Sequence, residues 1–262
     1  MSIAANVLTS EWTKIRSVRS TYWTLLSAAA TTIGLSAIVC AVYVAQFDHM
    51  TVQDRAGFNP ASFSLIGGVL AQLAIAVLGV LVITSEYATG MIRATFAAVP
   101  QRLTVLAAKA TVFTGVVLAV TTTACFAAFF IGQGMLSAKG IGISIGSPGA
   151  LRTVVGTSLY LAVLGLLSLG LGTLIRKTAG AITAMVGILF VLPVLSQLLP
   201  SSMDAIQKYL PSEAGQAIIN GSDVAKAGGR AALSPWLGLG VFFVYAVVAL
   251  GAAAITLVRR DA

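Results

Sequence analysis

Six stretches of this sequence run for more than 20 residues without one charged side chain, and that pattern leaves few folds open. They lie between Arg19 and Asp48, Arg55 and Glu86, Lys109 and Lys139, Arg152 and Arg176, Lys177 and Asp204, and Arg230 and Arg259. An apolar helix of roughly 20 residues crosses the hydrocarbon core of a bilayer. In that core every backbone N–H and C=O must find its partner within the segment, so each run reads as a helix. The charge content agrees. Only 9% of the 262 residues are charged, against roughly 25% in a soluble domain. The expected fold class is therefore an all-α integral membrane protein with six transmembrane helices. No polar stretch is long enough for a separate soluble core.

The expected segments are an interfacial helix over 1–21 and spans over 22–46, 62–84, 104–134, 152–175, 179–199 and 235–258, in one transmembrane domain covering 1–262. The formal net charge of +8 belongs to the flanks of these spans, so no nucleic-acid partner is expected. Lys14, Arg16, Arg19, Arg93, Arg102, Lys109, Arg176, Lys177, Arg259 and Arg260 fall on one side of the alternating spans. Arg55, Lys139, Arg152, Lys208, Lys226 and Arg230 fall on the other. Lys and Arg accumulate on the cytoplasmic side, which places both termini in the cytoplasm. The N-terminus does not read as a cleavable signal, because the first apolar run is too long and no small-residue cleavage site follows it.

Ahead of the first span, Ile3, Val7, Leu8, Trp12, Ile15 and Val18 recur at helical steps, with Asn6, Ser10, Thr13, Lys14, Arg16 and Ser17 opposite. A basic amphipathic helix with Trp12 on its apolar side suits the membrane interface; the other reading is a plain cytoplasmic tail. The outer loops are expected to differ. Residues 47–61 end in an Asn59-Pro60 turn, and 135–150 are Gly-rich and expected to be flexible. Residues 200–232 carry two short half-buried helices, the first ended by Pro211 and the second stopped by Asn220-Gly221. Inside the spans, Ser168 with Gly172 and Thr183 with Gly187 are small pairs that let helix backbones approach. Pro193 is expected to kink the fifth span. Cys40 and Cys125 lie in apolar runs and read as packing residues.

Chemistry is sparse. The single histidine, His49, cannot complete a zinc motif, and there is no Gly-Lys-Ser/Thr phosphate loop. Ionisable side chains placed within spans usually serve a purpose, and none lies in the middle of these six runs. No catalytic, metal or cofactor residue is therefore expected, and ion-coupled transport is disfavoured. What stands out is one charged island between the second and third spans, from Ser85 to Arg102. Glu86, Gly90 and Arg93 follow at steps of four and three, which would place them on one side of a helical turn. Gly90 would leave that side flat, with Met91, Ile92 and Phe96 as apolar knobs and Pro100 ending the piece. Two readings stand on residues alone: a short helix that docks in a groove of another protein, or a charged loop that obeys the orientation rule.

In these residues the chain resembles the permease subunit of type 2 ABC exporters, particularly the actinobacterial kind. The run from Ser10 through Glu11, Trp12, Lys14, Arg16 and Arg19 to Trp23 is similar to that family's opening interfacial helix. Glu86, Tyr87, Thr89, Gly90, Met91 and Arg93, with Pro100 and Arg102 after them, resemble its loop between spans two and three. Leu199-Pro200 through Leu210-Pro211 resembles its outer helical pair. The resemblance implies two paired permease copies, each engaging a separate ATP-binding subunit that carries ATP and magnesium. Residues 86–102 would include the coupling helix, and the substrate path would run between the permeases along spans one, two and five. An exported antibiotic, peptide or lipid-like compound is the implied cargo. A non-transporting immunity or signalling protein on the same fold is the alternative, and an enzyme reading would rest on His49.

Overall fold

The computed structural model describes residues 3–51, 55, 58–198, 207–227 and 233–259, and among them every regular element is a helix. Helix α1 spans Ile3–Ser17, α2 Arg19–Gln46, α3 Pro60–Phe63 and α4 Gly68–Ala88. They are followed by α5 Met91–Ala98, α6 Arg102–Ser137 and α7 Ala150–Ile175. Helix α8, Thr178–Val186, continues through a π-helical turn, Gly187–Val191, into α9, Leu192–Gln197. Helices α10, Pro211–Ala227, and α11, Pro235–Arg259, complete the chain. Six of these runs are long and apolar enough to cross a membrane: α2, α4, α6, α7, the α8–α9 run and α11. Each overlaps one of the six charge-free stretches, and α6 also takes in Lys109.

Helix α7 is the centre of the bundle. In its most apolar stretch 78% is buried, against 17% in the α8–α9 run, which is the most peripheral span. It packs on α4, α6, α10 and α11, while α2 lies against α6 and α4. Small residues set the α4–α7 distance. A Cβ added at Gly79 would sit 2.7 Å from the carbonyl oxygen of Gly165, and one at Gly172 would sit 2.8 Å from Ile83. Ser168 lies in the same seam, 2.8 Å from a Cβ at Gly79, so the Ser168–Gly172 pair does act in close packing. The Thr183–Gly187 pair does not. Thr183 is exposed and a Cβ at Gly187 would meet nothing among the described residues, because α8 borders the bundle on its other face.

The fifth span answers Pro193 with a π turn rather than a simple break. Proline has no N–H and its ring crowds the carbonyl four residues back, here Leu189, which lies within the wide Gly187–Val191 turn. Such turns absorb an irregularity without ending the helix. The turn between the fourth and fifth spans is as short as expected. Arg176 closes α7 at φ 59°, its N–H donating to Gly172 O at 2.9 Å, and α8 begins at Thr178.

One end of the bundle gathers α1, α5, the starts of α2 and α6, and the α7–α8 turn; Tyr22 and Trp23 stand exposed there. At the far end Lys139 pairs with Asp48 at 2.5 Å, and Trp236 and Tyr209 are exposed. Exposed aromatics at both ends match the interfacial belts of membrane helices. At the far end Asn59 caps α3, its Oδ1 accepting from Ala61 N and Ser62 N. The Gly-rich loop is tied down rather than free. Gln133 Oε1 accepts from Ile143 N at 2.7 Å while its Nε2 donates to Pro60 O and Ser64 Oγ.

The outer helices differ from expectation. Helix α10 starts at Pro211 and runs through Asn220-Gly221 to Ala227 as one 17-residue helix. Ala214 and Ile218 are fully buried, so it is a wedge between α7 and α11 and not a half-buried surface piece. Backbone contact permits this: a Cβ at Gly238 would sit 2.5 Å from Ala214 O, and one at Gly156 would sit 2.5 Å from Ile218. The piece expected before Pro211 lies largely outside the described residues, as does all of 199–206 in the stretch that carries the resemblance there.

Candidate functional site

The charged island folds as an elbow. Glu86 and Tyr87 belong to the last turn of α4; Thr89 closes it, its hydroxyl donating to Ser85 O at 2.9 Å. Gly90 then adopts φ 72°, the left-handed region open to glycine, and the chain turns into α5. Glu86, Gly90 and Arg93 therefore do not share one helical face, contrary to the sequence reading, because the helical period stops at Gly90. Glu86 is buried, and Arg93 is exposed on the next helix. Helix α5 buries Ile92 completely and packs Phe96 and Val99 against Val7, Val105 and Ala108. Of the three expected knobs only Met91 points outward, 43% exposed. Pro100 is exposed in the following turn.

Glu86 turns inward to an ion cluster. The ammonium of Lys109, 2% exposed, donates to Glu86 Oε1 at 2.7 Å and to Glu11 Oε2 at 2.5 Å. Lys14 donates to Glu11 Oε1 at 2.7 Å and to Glu86 Oε1 at 3.1 Å. It also reaches Thr95 Oγ1 on α5 at 3.4 Å. Two carboxylates and two ammoniums thus balance in charge and join α1, α4, α5 and α6 through side chains alone. Burying ions is costly unless each is paired and hydrogen-bonded. Here both lysines and Glu11 are, whereas Glu86 Oε2 is buried with no hydrogen-bond partner among the described residues. Burial works to lower the pKa of Lys14, but the hydrogen bond and charge of Glu11 and the charge of Glu86 outweigh it, and it ends above 10.5. A raised lysine pKa keeps its stabilising contribution intact at neutral pH and loses it only as pH climbs through that raised value.

Around the cluster, Arg176 sits over the half-buried Tyr87 ring at 5.2 Å, and Thr178 donates to Thr84 Oγ1 at 2.9 Å. Arg102 donates to Leu257 O at 2.7 Å and lies over the Phe96 ring at 5.5 Å. The elbow is thereby attached to the α7–α8 turn and to the last turn of α11. Trp12 and Arg16 on α1 and Arg19 at the start of α2 are exposed; the structure brings only Lys14 of the four expected interfacial residues into the cluster. Trp12 and Leu8 face outward, and the side of α1 that meets the protein is Val7, Glu11, Lys14 and Ile15.

Lys109 enters the sequence reading only as a flanking charge, and Glu11 only as part of the interfacial run. A signal was present. Glu11 is four residues from both Val7 and Ile15, on a stripe that is otherwise apolar. Lys109 is seven residues into α6, about 10 Å along its axis at 1.5 Å per residue, and is flanked by buried Ala108 and Phe113. Helix α6 has 36 residues, about 54 Å, so its first turns stand beyond a hydrocarbon core about 30 Å thick.

No protein-family model matches the chain, and no curated protein matches it.

Proposed function

We propose that this membrane protein is the permease subunit of an ATP-driven exporter of the type 2 ABC kind. In this reading a separate ATP-binding subunit docks on the outward face of α5, at Met91 and Arg93. One observation carries the reading. The helix that shows its outward face to any partner is tied, through Lys14, to a buried ion cluster that grips α1, α4 and α6 together. A push on α5 is passed to α1, to the ends of the two long helices α4 and α6 and, through Arg102 and Arg176, to α11 and the α7–α8 turn. A charge network with balanced partners can shift between discrete arrangements without leaving an ion bare, which is what transmission between sites requires. Both termini then lie in the cytoplasm of a bacterial plasma membrane, and a second permease copy, identical or related, completes the path for an amphipathic cargo such as an antibiotic, peptide or lipid-like compound.

Purification of the tagged chain from its own host in nanodiscs tests this. The expected result is a stoichiometric nucleotide-binding chain and ATP hydrolysis by the complex. Recovery of the chain alone, from a host that encodes such ATPases, would overturn the proposal and favour a non-transporting immunity or signalling role.

A further inference from the structure

At the end of the bundle away from the ion cluster, α3, α4, α7 and α10 enclose a cavity of about 200 Å³. Its polar lining is Asn59, Ser62, Gln72, Thr157, Tyr160 and Gln216, and no charged residue contributes to it. A glutamine in the buried part of a span is expensive unless its amide is used. Gln72 is 5% exposed; its Oε1 accepts from the Tyr160 hydroxyl at 2.8 Å, and its NH2 has no partner among the described residues. The Tyr160 ring is fixed in place. A Cβ at Gly215 would lie 2.6 Å from its edge, and Phe242 stacks on it with centroids 5.3 Å apart.

The unused hydrogen-bonding capacity has a definite character. Asn59 spends its Oδ1 on capping α3, which leaves its NH2 as a second donor. The hydroxyls of Ser62 and Thr157 donate to Ile219 O and Thr153 O, so their oxygens remain able to accept. Amide donors beside hydroxyl acceptors, with no charge among them, match groups that both give and take hydrogen bonds while staying neutral. Hydroxyls do this; carboxylates, phosphates and ammoniums would be buried without a counter-charge. The volume far exceeds the about 10–15 Å³ that one water needs and falls short of the roughly 300–1,000 Å³ of a site for a whole drug-sized ligand. It has room for a head group and not for a tail. Two lining residues, Ile66 and Val69, are also exposed on the bundle surface, so the mouth opens where a tail would meet lipid.

We infer that this cavity binds the neutral, hydroxyl-rich head group of a glycosyl amphipath, with its alkyl or acyl chain leaving past Ile66 and Val69. The source is either a resident membrane glycolipid or a glycosylated cargo, which share this chemistry.

The probe is decyl glucoside with a diazirine on its chain, added to the full chain in phosphatidylcholine nanodiscs and photolysed, with labelled peptides located by mass spectrometry. Labelling is expected to saturate, to concentrate on the segment holding Ile66 and Val69, and to be displaced by plain decyl glucoside but not by decyl sulfate or decyltrimethylammonium. Gln72→Leu is expected to weaken it about tenfold, the loss of one well-placed hydrogen bond and a buried amide. Should that variant misfold, Asn59→Asp keeps the capping oxygen while replacing the NH2 donor by an acceptor, and weakened labelling is again expected. Labelling spread evenly over the lipid-facing surface, equal displacement by the charged amphiphiles, or labelling unaffected in the folded variants would overturn the inference. A glycolipid extracted in stoichiometric amount from the isolated protein identifies a resident lipid; a site empty on isolation that fills with added probe identifies a cargo site. No ATPase takes part in this measurement, so its failure and the failure of the transport reading are read separately.

Discussion

Lys109→Met is expected to destabilise the folded bundle by about 3–5 kcal/mol, the usual cost of removing one partner from a buried ion pair. The substitution preserves an unbranched chain of similar length, so packing against α1 and α4 is nearly conserved. What changes is the charge. Glu11 and Glu86 are each within 2.7 Å of the lost ammonium, and both are almost wholly buried. Lys14, 24% exposed at its side chain, is left as the one counter-ion for two carboxylates. Thermal unfolding in mild detergent, followed by circular dichroism, reads the loss. The double change Lys109→Met with Glu86→Gln leaves Glu11 and Lys14 as one balanced pair and is expected to recover most of the stability. A single variant as stable as the wild type would mean that the cluster is not closed as described.

Arg93→Glu is expected to do the opposite: leave the bundle intact and abolish capture of the ATP-binding subunit. Arg93 is exposed on α5, whose inward side is held by Ile92, Phe96 and Val99, so reversing its charge disturbs no buried contact. Losing a charge pair at a protein interface costs about 2–5 kcal/mol, and reversal adds repulsion. That is more than tenfold in affinity by the 1.4 kcal/mol rule. Unchanged thermal unfolding together with lost co-purification is the predicted pair of results. Full retention of the partner by Arg93→Glu would remove α5 from the interface.

The spans were legible because lipid leaves the backbone one solution, and a charge-free run of the right length states it. The elbow was half legible. Glu86 and Arg93 stood out as charges, but a helical period was carried through Gly90, where the left-handed turn cancels it. Glu11 was hidden for a different reason. Helix α1 has two apolar sides, and the one drawn through Leu8 and Trp12 faces outward. The stripe that meets the protein contains the acid. Asn220-Gly221 reads as a helix stop in water, yet α10 continues through it, because the α7 and α11 contacts made by Ala214, Gly215 and Ile218 outweigh local propensity. Cluster membership also depends on α6 bringing Lys109 to residues 98 and 23 positions away in sequence, which no local pattern encodes.

Chemical cross-linking from α5 tests the central claim most directly. Cys40 and Cys125 are buried, so Met91→Cys provides the accessible thiol, and Ser144→Cys provides one in the exposed loop at the far end. In membranes from the native host, a cross-linker with a maleimide at one end and a photoactivated diazirine at the other is predicted to join position 91, and not position 144, to a nucleotide-binding chain, with a yield that changes when ATP is added. A cross-link from position 144, or none from position 91 while that ATPase is present, would contradict the account.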